Sequence, residues 1–291
     1  MHGGQSLCEY PGSRTWGGGI VSKQPPILAG KDFAAPSVFE PRNLLREARR
    51  QKNLPSTAVP DVCILDPDGD IVRTLATAGR ARRSPGWACY HTDLHEFEHA
   101  GEYFGIIGCA VGASFAVLVA EQLFASGCRC LLSMTSAGQI LNHAPPPYFI
   151  LIDRALRDEG TSYHYLPPTE FAMAEERLVE AAMEAFAASA QPIHRGASWT
   201  TDAPFRETAA AIAHCRMRQV LAVEMEAAGL YAFARARRQP VLCFAHVTNQ
   251  MAVVEGDFEK GDADGTAASL GVIAVAASAW RRLAERDAGS D

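Results

Sequence analysis

The chain has 291 residues, of which 48% are hydrophobic and 21% are charged, and its formal net charge is −6 at pH 7. This length fits one large domain or two small ones with a substantial core. Its basic residues are scattered, which argues against a nucleic-acid-binding surface. No apolar run approaches the ~18 residues that a membrane span needs. We therefore expect neither nucleic acid nor membrane as a partner.

The eight cysteines, at positions 8, 63, 89, 109, 128, 130, 215 and 243, lie mostly in apolar, strand-like runs. Thiols in such runs are typical of a reducing compartment, so we expect a cytoplasmic protein with reduced cysteines. The Cys-Arg-Cys at residues 128–130 lacks the ligand spacing of a zinc site. We predict no metal.

Composition divides the chain into four segments. Residues 1–31 are rich in glycine, proline and serine and lack the apolar core of a secretory signal, which indicates a flexible tail. Residues 32–60 hold a basic amphipathic helix over 41–52 and a connector. Residues 61–284 show no repeat or linker and form the main domain, and residues 285–291 form a C-terminal tail.

Apolar strands alternate with helices through the main domain. We predict strands at 62–65, 103–107, 130–134, 147–153, 191–198, around Val220 and at 240–247. We predict helices at 113–125, 170–190, 207–215, from Glu226 onward and at 266–283. This order indicates an α/β fold whose mostly parallel or mixed central sheet has helices on both faces. In such sheets ligands bind beyond the carboxyl ends of the strands.

The strand at Val220 runs into a helix through residues 223–231 (Val-Glu-Met-Glu-Ala-Ala-Gly-Leu-Tyr), which carry carboxylates at Glu224 and Glu226. An acidic first turn suits the helix dipole, so both acids can simply cap the helix. A carboxylate among apolar neighbours is, however, costly unless it has a partner. A ligand with vicinal hydroxyls would be such a partner. Spacing alone leaves both interpretations open.

Two other strand ends carry turns that suit a ligand. Residues 108–114 (Gly-Cys-Ala-Val-Gly-Ala-Ser) form a glycine turn before a helix, where backbone N–H groups can hold an anion. Residues 133–138 (Ser-Met-Thr-Ser-Ala-Gly) end the next strand with hydroxyls, which either cap the turn or face a ligand.

The segment 223–231 resembles the ribose-binding signature of the nucleoside phosphorylase superfamily, and the resemblance extends in order over residues 61–283. It implies a nucleoside as ligand, with Met225 packed on the sugar and Glu226 bound to its 2′- and 3′-hydroxyls. We assign Glu224 to the same ribose site because its charge would help to stabilise a ribosyl cation. The resemblance also implies a homo-oligomer built from dimers, in which His91 would face the sugar 5′ end of a neighbouring subunit.

The phosphate side of the family's site differs here. Residues 66–69 (Asp-Pro-Asp-Gly) are similar to a turn that carries a phosphate-binding arginine, but Gly69 stands in its place, and Ser133 replaces a second arginine. Phosphate recognition depends on such guanidinium groups. We therefore place water on this side, near Asp66, Gly69, Gly112 and Thr135, with Asp68 as its base. Asp66, Asp68 and Asp70 would together repel phosphate.

The resemblance implies a base pocket formed by Ser136, Ala137, Gly138, Trp199 and Phe205, with Trp199 or Phe205 able to stack on the base unless either belongs to the core. Asn249 falls where purine enzymes carry an aspartate that protonates the leaving base. An amide can bond a base edge but cannot act as that acid. Asp257, Glu255 and His246 lie nearby in sequence as possible replacements.

His91, His95 and His99 recur every four residues, which would align them on a helix as metal ligands; an exposed hairpin or helix face is the favoured alternative. The function expected from the whole pattern is cleavage of a nucleoside N-glycosidic bond, with hydrolysis favoured and no cofactor. The alternatives are a phosphorylase with a rebuilt phosphate site, which would use phosphate as co-substrate, and a non-catalytic nucleoside-binding module.

Overall fold

The computed structural model describes residues 25–251 and 255–289. Over these ranges the chain forms a single sheet of ten strands. They are β1 (Val62–Asp66), β2 (Ala81–Arg83), β3 (His95–His99), β4 (Glu102–Gly108), β5 (Cys130–Gln139), β6 (Tyr148–Asp158), β7 (Phe171–Met173), β8 (His194–Thr201), β9 (Val220–Glu224) and β10 (Val241–Asn249).

Seven α-helices accompany the sheet in the same part of the chain. They are α1 (Pro41–Lys52), α2 (Asp70–Thr77), α3 (Ala113–Ala125), α4 (Glu176–Ala187), α5 (Ala209–Met217), α6 (Ala227–Arg237) and α7 (Thr266–Ala288). Most of them follow directly on a strand, so the alternating order expected from the sequence is present.

The sheet follows the order β10-β6-β8-β9-β5-β1-β4-β3-β2, and a further pairing of β10 with β5 closes five strands into a ring. β5 pairs in parallel with β1 and β10. It meets β9 in antiparallel register only through Gly138 and Gln139. Because β5 and β9 overlap only near their last residues, their carboxyl ends lie together. The ends of β1, β8 and β10 reach the same place, because β1 and β10 run parallel to β5 and β8 runs parallel to β9.

Helices cover both faces of the sheet, which is therefore the mixed α/β arrangement predicted. One core cluster joins α3 and α6 to the sheet through residues such as Val117 and Tyr231. A second joins α2, α4 and α7, with Leu75, Val179 and Ile273 among its buried members. The region of α7 is long and apolar enough to cross a membrane, but 56% of its most apolar window is buried inside the protein. Helix α7 is therefore packed as a core helix of the protein.

Several predicted boundaries differ from the structure. Helix α4 begins at Glu176 rather than at residue 170, because β7 pairs with β6 in antiparallel register just before it. The histidine segment is not a helix: His95 and His99 bound a strand. Helix α7 continues to Ala288, beyond the predicted start of the C-terminal tail at residue 285. Most of the predicted N-terminal tail, residues 1–24, lies outside the described residues.

Helices α3 and α6 approach closely at Gly229. A Cβ at this position would lie 2.8 Å from the Cβ of Ala113 and 3.4 Å from Cγ2 of Val117. Glycine inside a helix costs ~1 kcal/mol relative to alanine, so this residue is explained by the contact and not by helix propensity.

We expect Gly229→Val to lower the free energy of unfolding by about 1–3 kcal/mol, because two helix backbones must move apart to admit the side chain. Urea denaturation followed by circular dichroism measures this loss. Ala236→Val, at an exposed position of the same helix, is the control for the helix propensity of valine. Equal effects of the two substitutions would contradict the packing argument.

Candidate functional site

The carboxyl ends of β1, β5, β8, β9 and β10 surround a cavity of about 410 Å³. Its lining brings together most of the predicted site residues, namely Asp68, Thr135, Ser136, Ala137, Gly138, Phe205, Glu224, Met225, Glu226 and Asn249. It also contains residues that the sequence-based assignment did not include, namely Pro67, Val111, Pro204, Glu207, Val223, Met251 and Phe258. Five predicted residues lie outside the lining, namely Asp66, Gly69, His91, Gly112 and Trp199.

Both carboxylate oxygens of Glu224 are occupied by the protein. Oε1 accepts hydrogen bonds from the hydroxyls of Ser198, at 3.0 Å, and Thr200. Oε2 accepts from the N–H groups of Glu226 and Ala227, each at 2.7 Å. A carboxylate has about four acceptor sites, and all are used. The assignment of Glu224 as a ribose ligand is therefore corrected: it caps α6 and positions Glu226.

Glu226 immediately precedes α6 and is 1% exposed. Its Oε1 accepts a hydrogen bond from the N–H of Gly112 at 2.7 Å. Its Oε2 meets no partner in hydrogen-bond geometry among the described residues, although the Thr135 hydroxyl lies near. A buried oxygen without a donor is costly. One face of Glu226 thus remains open for donors from a ligand, which is the geometry that the ribose-binding role requires.

Gly112 has a different role from the one predicted. The glycine turn before α3 was expected to face an anion on the phosphate or water side. Its N–H instead donates to Glu226, and its φ of +87° belongs to the region that favours glycine. The turn orients a carboxylate of the protein.

Burial raises the pKa of Glu226 to about 8, and the neighbouring charge of Glu224 adds to the rise. Burial also raises the pKa of Glu224, but its four hydrogen-bond donors oppose that rise. Glu224 therefore has the fuller set of donors, and a pKa of about 8 for Glu226 favours its protonated form near neutral pH. Hydroxyl donors from a ligand would favour the ionised form instead.

Asp68 faces the cavity from the turn after β1. Its two oxygens accept hydrogen bonds from the backbone N–H and the hydroxyl of Ser136, at 2.9 and 3.0 Å. The side chain remains 31% exposed. The carboxylate is therefore held in one orientation beside the wall of β5 and still reaches the cavity, as a base for water requires.

The other two predicted residues of this turn are structural. Asp66 is buried and accepts from the N–H of Val72 at 2.9 Å, and burial raises its pKa to about 7. Gly69 has a φ of +75°, and a Cβ there would lie 2.7 Å from Sγ of Cys109. The turn thus requires glycine where the family's arginine would stand.

Two cationic side chains lie beside this turn. Lys260 donates to Asp70 and lies 3.8 Å from Asp68, and Arg73 also pairs with Asp70. The expectation of three uncompensated carboxylates is therefore wrong, because Asp70 is paired and the raised pKa of Asp66 reduces its charge. Lys260 is far away in sequence and lies in a loop, so no local pattern could indicate its position.

Asn249 ends β10 and belongs to the cavity wall. Its Oδ1 accepts from the N–H of Met251 at 2.9 Å and its Nδ2 donates to the hydroxyl of Thr248 at 3.2 Å. A Cβ on Gly138 would lie 3.3 Å from this Oδ1 and 2.8 Å from Sδ of Met251. Gly138 therefore leaves room for a wall formed by Asn249 and Met251, where a planar group would fit.

The two predicted aromatic residues differ in position. Phe205 borders the cavity with a side chain that is 99% exposed, so it stands at the mouth. Trp199 is buried in a separate core cluster, and its Nε1 donates to Asp158 at 3.0 Å. The prediction that Trp199 stacks on a base is therefore corrected: the alternation of β8 turns it away from the cavity.

The histidines contribute no chemistry inside this cavity. His91 lies against Phe115, with ring centroids 6.4 Å apart, outside the lining. His246 is stacked on Phe149, and burial lowers its pKa to about 4, so it is neutral near pH 7. Within the described part of the chain, no group of three or more potential metal ligands is found.

The raised pKa of Glu226 has a consequence for stability. A glutamate with an ordinary pKa of 4.5 when unfolded and about 8 when folded binds an extra proton in the folded state between these values. Its contribution to stability is therefore lost as the pH rises from 4.5 to 8. We expect Glu226→Gln to gain melting temperature relative to the parent protein as the pH is raised from 5 to 9.

Thermal denaturation of both proteins across this range measures the difference. Glu180→Gln, which removes an exposed carboxylate on α4, is the control. A difference between parent and Glu226→Gln that stays constant with pH would contradict the shifted pKa.

Comparison with known proteins agrees with the geometry. Residues 61–285 match the family model described as "Phosphorylase superfamily". No match emerged from a comparison with curated protein sequences.

Among solved structures, the chain is similar to the uridine phosphorylase of Vibrio fischeri ES114, with a TM-score of 0.60 and 18% identity over 79% of this chain and 92% of that chain. The same enzyme complexed with 6-hydroxy-1-naphthoic acid gives a TM-score of 0.61 and 17% identity over 81% and 93%. At such identities the likeness concerns the fold alone. The family match covers most of the chain, and together with the strand order and the Glu226 site it leads to one conclusion: this chain belongs to the phosphorylase superfamily.

Proposed function

We propose that the protein cleaves the N-glycosidic bond of a nucleoside, with water as the nucleophile. The observation that carries the proposal is Glu226, a buried carboxylate in the cavity wall with one oxygen fixed by Gly112 and the other without a partner among the described residues. Vicinal hydroxyls of a ribose would donate to the free oxygen. The 410 Å³ cavity is large enough for a nucleoside.

Cleavage of this bond passes through an oxocarbenium-like ribosyl cation. Glu224 and Glu226 lie at the sugar end of the cavity, and both are buried in a medium of low dielectric. Negative charge on this pair stabilises the cation more than it stabilises the neutral sugar, which is what lowers a barrier. Met225 is half-buried in the lining and offers an apolar surface to the ring.

Water is favoured over phosphate because the cavity lining of the described residues includes Asp68, Glu207, Glu224 and Glu226 but no lysine, arginine or histidine. A phosphate there would meet carboxylates without a guanidinium partner. A water molecule would add its oxygen to C1′ and transfer a proton to Asp68, while the electron pair of the glycosidic bond leaves with the base.

Phosphorolysis is the second candidate, and one observation favours it. Lys260 brings an ammonium group to within 3.8 Å of Asp68, at the edge of the cavity. A lysine can bind phosphate as a point charge. Lys260 is, however, already bonded to Asp70, so phosphate would have to compete with that carboxylate.

The test is turnover of a nucleoside panel, uridine and purine ribonucleosides included, in the presence and absence of phosphate. We expect turnover without phosphate and free ribose as the product. Glu226→Ala should lower the rate ~10²-fold or more, because it removes an interaction that strengthens in the transition state. Strict dependence on phosphate, with ribose 1-phosphate as product, would establish the second candidate. Binding without turnover under either condition would indicate a nucleoside-binding module.

Matched substitutions of Asp68 and of its neighbour Asp70 test which carboxylate activates the nucleophile. We expect Asp68→Asn to lower the rate of hydrolysis by about 10²- to 10⁴-fold, because the base for water is lost, while ribose binding stays near normal. Asp70→Asn should have a smaller effect, because Asp70 lies outside the lining and pairs with Lys260 and Arg73. The reverse order of effects would exclude Asp68 as the base.

We also propose a homo-oligomer built from dimers. Tyr90, Val111 and Leu118 are exposed, and partly buried Phe115 meets the His91 ring that adjoins Tyr90; we take these four residues as one apolar patch, which reaches the cavity at Val111. Exposed apolar patches of this kind mark interaction surfaces. His91 lies beside Phe115 and outside the lining of the cavity, and we propose that it serves the site of a neighbouring subunit.

Light scattering should therefore detect a dimer or larger assembly at micromolar concentration. Leu118→Glu should dissociate it, because a charge would be buried in the contact. Met217→Glu, at an exposed apolar residue of α5, should leave the assembly unchanged. A monomeric parent protein would overturn this proposal.

The cysteines among the described residues are all unpaired, which supports a reducing, cytoplasmic location.

A further inference from the structure

Cleavage of a nucleoside also needs a group that protonates the departing base. The departing base carries the electron pair of the broken bond and needs a proton unless it is a stable anion. Asn249 borders the cavity but its amide is not an acid. The two oxygens of Asp257 both accept from the N–H of Gln250, at 2.9 and 3.0 Å, and His246 is buried outside the lining. None of these groups can supply the proton.

Glu207 is the remaining candidate in the cavity wall. It follows the 3-10 turn Pro204–Arg206 and precedes α5, and its side chain is half-buried in the lining. Among the described residues, no donor forms a hydrogen bond with its carboxylate. It therefore differs from the other carboxylates of the lining, since Asp68, Glu224 and Glu226 are each held by donors from the protein.

The topology places Glu207 and Asp68 on opposite sides of the cavity. Asp68 follows β1 on one side of β5, whereas Glu207 follows β8, which lies beyond β9 on the other side. Glu226 lies between them, directly after β9. The nucleophile and the leaving group act on opposite faces of C1′ when a glycosidic bond is displaced. If Asp68 activates water, a group on the β8 side faces the departing base.

The electrostatic surroundings favour the acid form of this residue. Burial raises the pKa of Glu207, and no cation opposes the rise. The titratable groups around it are the cavity carboxylates Asp68, Glu224 and Glu226 and the thiol of Cys215, whose own pKa is raised in part by Glu207. Arg206 precedes Glu207 in the chain but forms no ion pair with it, so no cation among the described residues holds Glu207 in its ionised form.

We propose that Glu207 is the general acid that protonates the leaving base, an inference that rests on the proposed function. In this step the bond between C1′ and the base nitrogen breaks and its electron pair stays on the base. The carboxylic proton of Glu207 moves to a nitrogen or oxygen of the base. Water adds to C1′ and gives its proton to Asp68. Exchange with solvent then returns the proton to Glu207 and removes it from Asp68.

The experiment compares two kinds of substrate in the parent protein and in Glu207→Gln. The first is the ribonucleoside that the parent cleaves fastest. The second is 4-nitrophenyl β-D-ribofuranoside, whose leaving group departs as a stable anion and needs no proton. We expect Glu207→Gln to lower turnover of the nucleoside by about 10²-fold or more and turnover of the nitrophenyl riboside by less than about fivefold. Glu180→Gln, at an exposed carboxylate on α4, should leave both unchanged.

The outcomes separate this inference from the proposed function. Equal losses on both substrates would overturn the acid role, because a merely structural residue affects both alike. Unchanged turnover of the nucleoside would overturn it as well. If the parent protein cleaves neither substrate, with or without phosphate, the proposed function itself fails. Retained activity on the nitrophenyl riboside also shows that the variant is folded.

Discussion

The site depends on one interaction, the hydrogen bonding of the Glu224 carboxylate at the start of α6. Two of its four donors are backbone N–H groups of the helix N-terminus, and the other two are hydroxyls of β8. It therefore joins a strand end, a helix end and a neighbouring strand at a single point. Charge-assisted bonds to a helix N-terminus are favourable because the helix dipole is positive there. These hydrogen bonds fix the position of Glu226, whose own N–H is one of the donors.

The same arrangement explains why Glu226 is poised for a ligand. Burial and the neighbouring carboxylate of Glu224 raise the pKa of Glu226 to about 8. A buried oxygen without a donor is unfavourable in the free protein. Both penalties would decrease if hydroxyl donors and a developing positive charge entered the cavity, as the proposed function requires. The donors and charges of the site are thus in place before a ligand binds, which makes the site preorganised.

The two ends of the cavity are chemically different. The side of β1 presents an oriented carboxylate, Asp68, with Lys260 and Asp70 behind it. The side of β8 presents Glu207, a carboxylate without a donor among the described residues. Burial raises the pKa of Glu207, whereas the oxygens of Asp68 accept hydrogen bonds from Ser136, so the two carboxyl groups have unlike surroundings and can take unlike roles.

The sequence by itself determined the α/β class and the bounds of α1 and α3, and it placed Glu226 at a strand-to-helix junction, because periodicity and such junctions are local properties. It could not separate Glu224 from Glu226, since both acids suit a helix start. Only the tertiary structure decided that the donors of β8 occupy Glu224, that Trp199 faces the core, and that Lys260 approaches Asp70. Each of these depends on residues distant in sequence, and the closure of the sheet is what brings them together.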